Sequence, residues 1–409
     1  MQEYTFKKRP VITIALITAI CLLGNEMLFI VLPIYWKFFG LDSLWQVGVL
    51  LSINRFVRIP INSIVGWCYH KISKRTGVLF AIVLASFSTY SYGVLKGFWL
   101  LLLVRILWGV AWSFLRLGGY LTVIASSDGK TRGQLIGLYN GLWGLGTLFG
   151  MLIGGLLSDL VGISSITTGF AILAVLTIPL AIKFIPNVPN AEHSVEKQTG
   201  STLGSALHRK VLFNGLFVAF VVYGVFFTTI SKVIEFHLDG TVLIWGMSIG
   251  AAAITGVVQS VKMGIDPFLA PAIGRWSDLK FGRVPLLTIA FLGGALFLAV
   301  IPFAVNYALL LAMILAFQII CTLLITMSDS LAADLAKGPL SIKTMTNYTL
   351  FADLGAAVGP LLSFIVLDFV GLPWLYGFTS LLLFIAFLFW LKEIRKQKVQ
   401  STSMQEIGL

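Results

Sequence analysis

Gly274-Arg275-Trp276-Ser277-Asp278-Leu279-Lys280-Phe281-Gly282-Arg283 is a short polar segment between two long apolar runs. Gly66-Trp67-Cys68-Tyr69-His70-Lys71-Ile72-Ser73-Lys74-Arg75, 208 residues earlier, stands in the same place between two others. A second set keeps step: Tyr139, Gly146 and Gly150 are matched by Tyr348, Gly355 and Gly359, each 209 residues on. A spacing held to within one residue over half the chain is the mark of an internal repeat, and repeated helical halves are how many secondary transporters build a midplane site.

Outward from these segments the sequence is mostly apolar. Of 409 residues, 58% are hydrophobic and 11% are charged, and the mean hydropathy is +0.94. Soluble domains carry about 25% charged residues. A soluble enzyme, a secreted disulfide scaffold and a disordered chain are thereby excluded, and the solvent of this chain is mostly lipid. Twelve apolar runs are long enough to cross a bilayer: 11–36, 44–69, 76–95, 98–125, 133–157, 164–185, 211–234, 241–273, 284–303, 307–332, 341–367 and 371–391. The first contains Glu26, is too long for the apolar core of a signal peptide and lacks a small-residue cleavage site, so it reads as a retained helix.

With the N-terminus placed inside, inner loops and tails hold 21 Lys and Arg residues and outer loops hold 3, Lys37, Lys96 and Lys232. That is a strong positive-inside bias. It accounts for the net charge of +12 without nucleic acid and places both termini in the cytoplasm. The expected organisation is an N-terminal six-helix bundle over 1–185, a polar cytoplasmic linker over 186–210, and a C-terminal six-helix bundle with a cytoplasmic tail over 211–409. The three cysteines and four histidines show no ligand spacing, so neither a metal nor a cofactor is expected. No Gly-x-x-x-x-Gly-Lys-Ser/Thr loop is present for ATP, and no nucleophile–base pairing suggests an enzyme.

Charges inside spans cost about 2.5–3.5 kcal/mol each at the bilayer centre and therefore mark function or pairing. Arg55, Arg58 and Asn62 share one face of the second span; Arg105, Gly109, Trp112 and Arg116 share one of the fourth; Gln259, Lys262 and Asp266 share one of the eighth. Four arginines stand against Glu26 in the first half. Structural pairing and snorkelling compete with the binding of an anionic substrate group, for which guanidinium is suited. Lys262 and Asp266, four residues apart, can neutralise each other. Glu26 is the first candidate for a coupling proton, Asp353 the second and Asp266 the third. Trp108, Trp112, Trp143, Tyr139 and Tyr223 lie deep enough to face an organic substrate, although core packing is the commoner role of such residues.

Over nearly its whole length the chain resembles the major facilitator superfamily. The 6+6 plan, the two quoted loops, Arg105-Ile106-Leu107-Trp108-Gly109 and Gly146-x-x-x-Gly150-x-x-x-Gly154-Gly155 carry the resemblance. It implies an all-α membrane protein of twelve helices in two pseudo-symmetric six-helix bundles, with spans one, two, four and five facing seven, eight, ten and eleven across a cavity. It implies gating by Gly274, Asp278, Gly282 and Arg283, and by Gly66, His70 and Arg75 in the first half, where His70 stands in the place of the family's Asp. It implies proton coupling near Arg105. The span-five glycines resemble the element of drug/proton antiporters, without its Pro; a Gly-Pro pair stands instead at Gly359-Pro360 in span eleven. The glycines allow close helix approach, either as plain packing or as seams along which the halves rock.

The expected protein is thus a monomeric, multi-pass transporter of the cell (inner) membrane. Its partners are lipid, protons and a small anionic or amphipathic substrate, with substrate binding by Arg55, Arg58, Asn62, Arg105, Trp112, Arg116 and Lys262. Export of a drug-like molecule, metabolite or siderophore by alternating access is the first reading. Uptake of an organic anion with protons is the second, and a lipid flippase or a sensor on the same fold is an alternative of another class.

Overall fold

The computed structural model describes residues 2–127, 132–185, 187, 206–238, 242–244, 247–335 and 341–406. Among them are the twelve expected helical passages. Five are single helices in the first half or its start: α1 (Gln2–Ile34), α2 (Leu44–Lys71), α3 (Lys74–Val94), α4 (Phe98–Ser126) and α5 (Arg132–Val161). The sixth is broken into α6 (Ile163–Val175) and α7 (Ile178–Phe184). The break falls at Leu176-Thr177, just before Pro179, whose missing N–H suits a helix start. The seventh runs from α8 (Ala206–Ala219) through a π-helical turn (Phe220–Phe226) into α9 (Phe227–His237). The eighth starts later than its apolar run: a hairpin of β1 (Val242–Ile244) and β2 (Met247–Ile249) precedes α10 (Ala251–Trp276). The remaining passages are α11 (Arg283–Val300), α12 (Tyr307–Leu335), α13 (Ser341–Phe369) and α14 (Leu372–Glu406).

Ten of the twelve passages are long and apolar enough to cross a membrane by length and composition. The two others, α2 and α10, are 28 and 26 residues long. They are the ones that carry Arg55 with Arg58, and Lys262 with Asp266. Charge, not length, sets them apart. Most of the expected linker, 186–210, and the basic residues Lys130, Lys197 and Lys337 lie outside the described residues.

The described chain forms two compact units, Met1–Lys197 with Thr228–Met263, and Gln198–Phe227 with Gly264–Leu409. In the first unit α1 packs along α5, α4 packs on α2 and α3, and α6 packs on α3. Gly146, Gly150 and Gly154 explain the first of these. A Cβ at each would fall 2.3 Å from the Ala19 carbonyl oxygen, 2.8 Å from that of Leu23 and 2.4 Å from Met27 Cγ. Bare backbone on every turn of α5 therefore admits α1, residue for residue at Ala19, Leu23 and Met27. The second unit repeats the device: Gly355 faces Leu216, and Gly359 faces Gly224 in the π-helical turn. These seams join helices inside each unit, which supports the packing reading of the repeated glycines. Of the deep aromatics, Trp108 and Tyr139 are core residues at 1% exposure, and Trp112 meets Trp143 edge-on.

Candidate functional site

The spacing of Arg105 and Gly109 has a direct structural meaning. Helices α2 and α4 run in the same direction, and Gly109 sets their backbones together: a Cβ there would be 2.9 Å from the Asn54 carbonyl oxygen. One turn earlier on both helices, Arg105 Nε donates to the Leu50 carbonyl at 2.8 Å. Glycine thus brings α4 close enough for the arginine, four residues before it, to reach the α2 backbone.

Arg105 is 1% exposed. Its Nη1 donates to Asn25 Oδ1 at 2.7 Å, and Asn25 Nδ2 donates to Glu26 Oε1 at 2.9 Å. The Asn25 amide therefore stands between a guanidinium and a carboxylate, accepting from one and donating to the other. Asn54 Nδ2 reaches the same Asn25 oxygen at 3.5 Å. Arg58 Nε donates to the Asn54 carbonyl at 3.1 Å, which places that guanidinium over the same patch of α2. Arg55, Arg105 and Arg58 all attract Glu26 through charge. Phe29 lies 6.0 Å beneath the Arg105 guanidinium. Glu26 itself is fixed by the seam: Gly150 leaves 3.1 Å between its Cβ position and Glu26 Cβ.

The first unit therefore brings together Glu26, Arg55, Arg58 and Arg105. Asn62, two turns along from Arg55, is exposed. Arg116 is half-buried beside Tyr120, 6.0 Å from its ring. Trp112 is buried, and no described group accepts from its indole N–H. Lys262, also in this unit, is 6% exposed. Asp266, one turn further on α10, belongs to the second unit and accepts from Thr322 Oγ1 at 2.6 Å. Asp353 is half-buried on α13. A residue the charge pattern missed is Asn25. An amide beside a carboxylate in an apolar span was the available signal.

At the gating loops the halves differ. In the second, Arg283 Nη2 donates to Asp278 Oδ1 at 3.2 Å, Nη1 donates to the Ser330 carbonyl at 2.7 Å, and Nη1 also pairs with Asp334. The loop is thereby tied to the end of α12. Gly282 sits at φ +74°, where other residues are strained, and lets the chain turn into α11. In the first half Arg75 Nε donates to the Ile185 carbonyl at 2.9 Å, and His70 is exposed. Among the described residues, nothing outside the local backbone lies within 4 Å of a Cβ built at Gly66 or Gly274. Asp334 was not among the expected gating residues, because its position at the end of an apolar run reads as interfacial.

Comparison with known proteins agrees with this architecture. The chain matches the Major Facilitator Superfamily over residues 14–265 and 266–408, and it belongs to that family. It is a multi-pass membrane transporter of small molecules, not an enzyme. A tetracycline resistance protein, class H, of Pasteurella multocida is 26% identical over 227 residues, 52% of this chain and 55% of that protein, so the match spans about half of that relative's length. Two solved transporters share the fold. A bacterial homologue of the human lysosomal transporter Spinster, inward-facing and occupied, has a TM-score of 0.75 at 15% identity, covering 94% of this chain and 96% of its own. The nucleoside transporter NupG has 0.72 at 13% identity, covering 96% and 100%.

Proposed function

We propose that the chain couples the proton gradient to the export of a small anionic or amphipathic organic compound by alternating access. The observation that supports proton coupling is the Glu26–Asn25–Arg105 chain of hydrogen bonds beside Arg55 and Arg58. One carboxylate faces three guanidinium groups in an apolar surrounding. Protonating Glu26 removes its negative charge and lets the nearby guanidinium groups attract an anionic substrate group. Losing the proton restores the internal pairing and weakens the hold on substrate. The Glu26 carboxylate and an anionic substrate thus compete for the same arginines, so proton and anion bind together, which is the linkage that uptake with protons uses. Arg105, with two of its nitrogens on protein groups, supports the arrangement; Arg55 and Arg58, half-buried, are the arginines that meet substrate, and Asn62, Trp112, Arg116 and Lys262 are further substrate contacts in this reading. Asp353 and Asp266 are the reserve proton carriers. Export is favoured over uptake by the likeness to a tetracycline resistance protein. Uptake of an organic anion with protons is the second reading, favoured by the surplus of arginine.

The protein so read acts as a monomer in the cell (inner) membrane with both termini in the cytoplasm. The test is reconstitution in liposomes with an internal pH dye, adding anionic and cationic organics in turn. Glu26→Gln mimics the protonated state. It is expected to keep substrate exchange and lose accumulation driven by a proton gradient. A Glu26→Gln protein that still concentrates substrate against its gradient would move the role to Asp353 or Asp266, or remove proton coupling.

A further inference from the structure

At the end of the bundle away from the Lys- and Arg-rich loops, a second carboxylate is fully engaged. Asp159 lies in the last turn of α5. The Tyr35 hydroxyl, just past the end of α1, donates to its Oδ1. The backbone N–H groups of Gly250 and Ala253, at the start of α10, donate to its Oδ2 at 3.0 and 3.1 Å. The first N–H groups of a helix have no acceptor within the helix, and its N-terminus carries a partial positive charge. Asp159 supplies both acceptor and opposite charge. The approach requires glycine: a Cβ on Gly250 would lie 2.8 Å from Asp159 Oδ2.

Below the carboxylate, α5 and α10 run antiparallel in backbone contact. A Cβ on Gly155 would be 2.6 Å from the Ala252 carbonyl oxygen, and one on Gly256 would be 2.6 Å from that of Met151. Further in, Ser260 Oγ donates to the Leu148 carbonyl at 3.2 Å. The contact thus spans 148–159 on α5 and 250–260 on α10. It joins a helix of the first sequence repeat to one of the second. The first compact unit reflects this, since it takes in Thr228–Met263 from the second repeat.

We propose that Asp159 is the latch of the outer gate. It holds the starts and ends of α1, α5 and α10 together while the outer opening is shut, and its three hydrogen bonds must break when α10 parts from α5. The smooth glycine faces beneath it allow the helices to separate and close again without interlocking side chains. The proposal needs alternating access but neither the substrate nor the proton assigned above.

The experiment uses the full chain in membranes. Ser260→Cys, placed in the contact, is the reporter in a protein whose Cys21, Cys68 and Cys321 are replaced by serine, and the probe is a membrane-impermeant maleimide added outside. Asp159→Asn is expected to raise the labelling rate about tenfold, the weight of one charge-assisted hydrogen bond. Gly250→Ala, which keeps the charge but forces the carboxylate away, should raise it similarly, and Tyr35→Phe less. Cys21, 1% exposed in the core of the first unit, is the control. In the same variants with native cysteines present it should stay unlabelled, which separates opening from unfolding. Unchanged labelling of Ser260→Cys in Asp159→Asn and Gly250→Ala would overturn the proposal. So would parallel labelling of Cys21 in all three variants, since the contact would then hold the fold and not a gate.

Discussion

Replacing Gly146 by alanine tests the link between the repeated glycines and the proton site. The added Cβ would lie 2.3 Å from the Ala19 carbonyl oxygen and 2.5 Å from Ala19 Cα. Both are backbone atoms of a packed helix and cannot swing aside. Ordinary contact begins near 3.4 Å, so α1 must move off α5 by about an ångström. Overpacking of this kind costs about 1–3 kcal/mol. The better helix propensity of alanine returns up to about 1 kcal/mol. Gly144, half a turn away, has no atom of the described residues outside its own helix backbone within 4 Å of its Cβ position, so Gly144→Ala gains propensity alone. The two variants should therefore differ in stability by about 1–3 kcal/mol, with Gly146→Ala the weaker, since the propensity gain is common to both. The shift also moves Glu26, because α1 carries it one turn beyond Leu23. The Asn25–Arg105 hydrogen bond of 2.7 Å does not survive a displacement of that size. The assay is thermal unfolding in detergent together with transport in proteoliposomes, normalised to folded protein. Gly146→Ala should melt lower than Gly144→Ala and lose transport beyond the loss of folded protein. Equal melting and equal transport would refute the claim that the seam positions the carboxylate.

Two further outcomes are expected. Arg58→Lys keeps the charge but loses the planar fork, and should weaken binding of an anionic substrate; Arg58→Ala should weaken it more, with the protein still folded in detergent. Normal affinity for a cationic substrate, or intact transport by Arg58→Ala, would refute that role. At the inner loop, Asp334→Asn should release Arg283 more than Asp278→Asn does. Asp278 is 60% exposed and screened by water, whereas Asp334 and the Ser330 carbonyl meet the same guanidinium nitrogen. Raised labelling of a cytoplasmic-side cysteine reads this, and equal labelling in both variants would count against the Asp334 contact.

Membrane residence, twelve passages and the two-fold repeat were determined by the sequence alone. These follow from composition and period, which need no knowledge of partners: lipid imposes length and apolarity on each span, and a repeat is visible as spacing. The charged stripes on α2 and α4 were legible for the same reason, because helical periodicity places Arg55, Arg58, Arg105 and Arg116 on faces. What those faces meet was not legible. That Arg105 is consumed by Leu50 and Asn25, that Gly146 and Gly150 seat α1 while Gly155 seats α10, and that Arg283 holds Asp334 all depend on contacts between residues far apart in the chain. Asp159 shows the limit most plainly. In sequence it is one more carboxylate near the end of an apolar run, the same signature as Asp329 and Asp334. Only the tertiary structure brings the start of α10 and the end of α1 to it. Its partners are backbone N–H groups, which every residue but proline carries, so no side-chain pattern announces them.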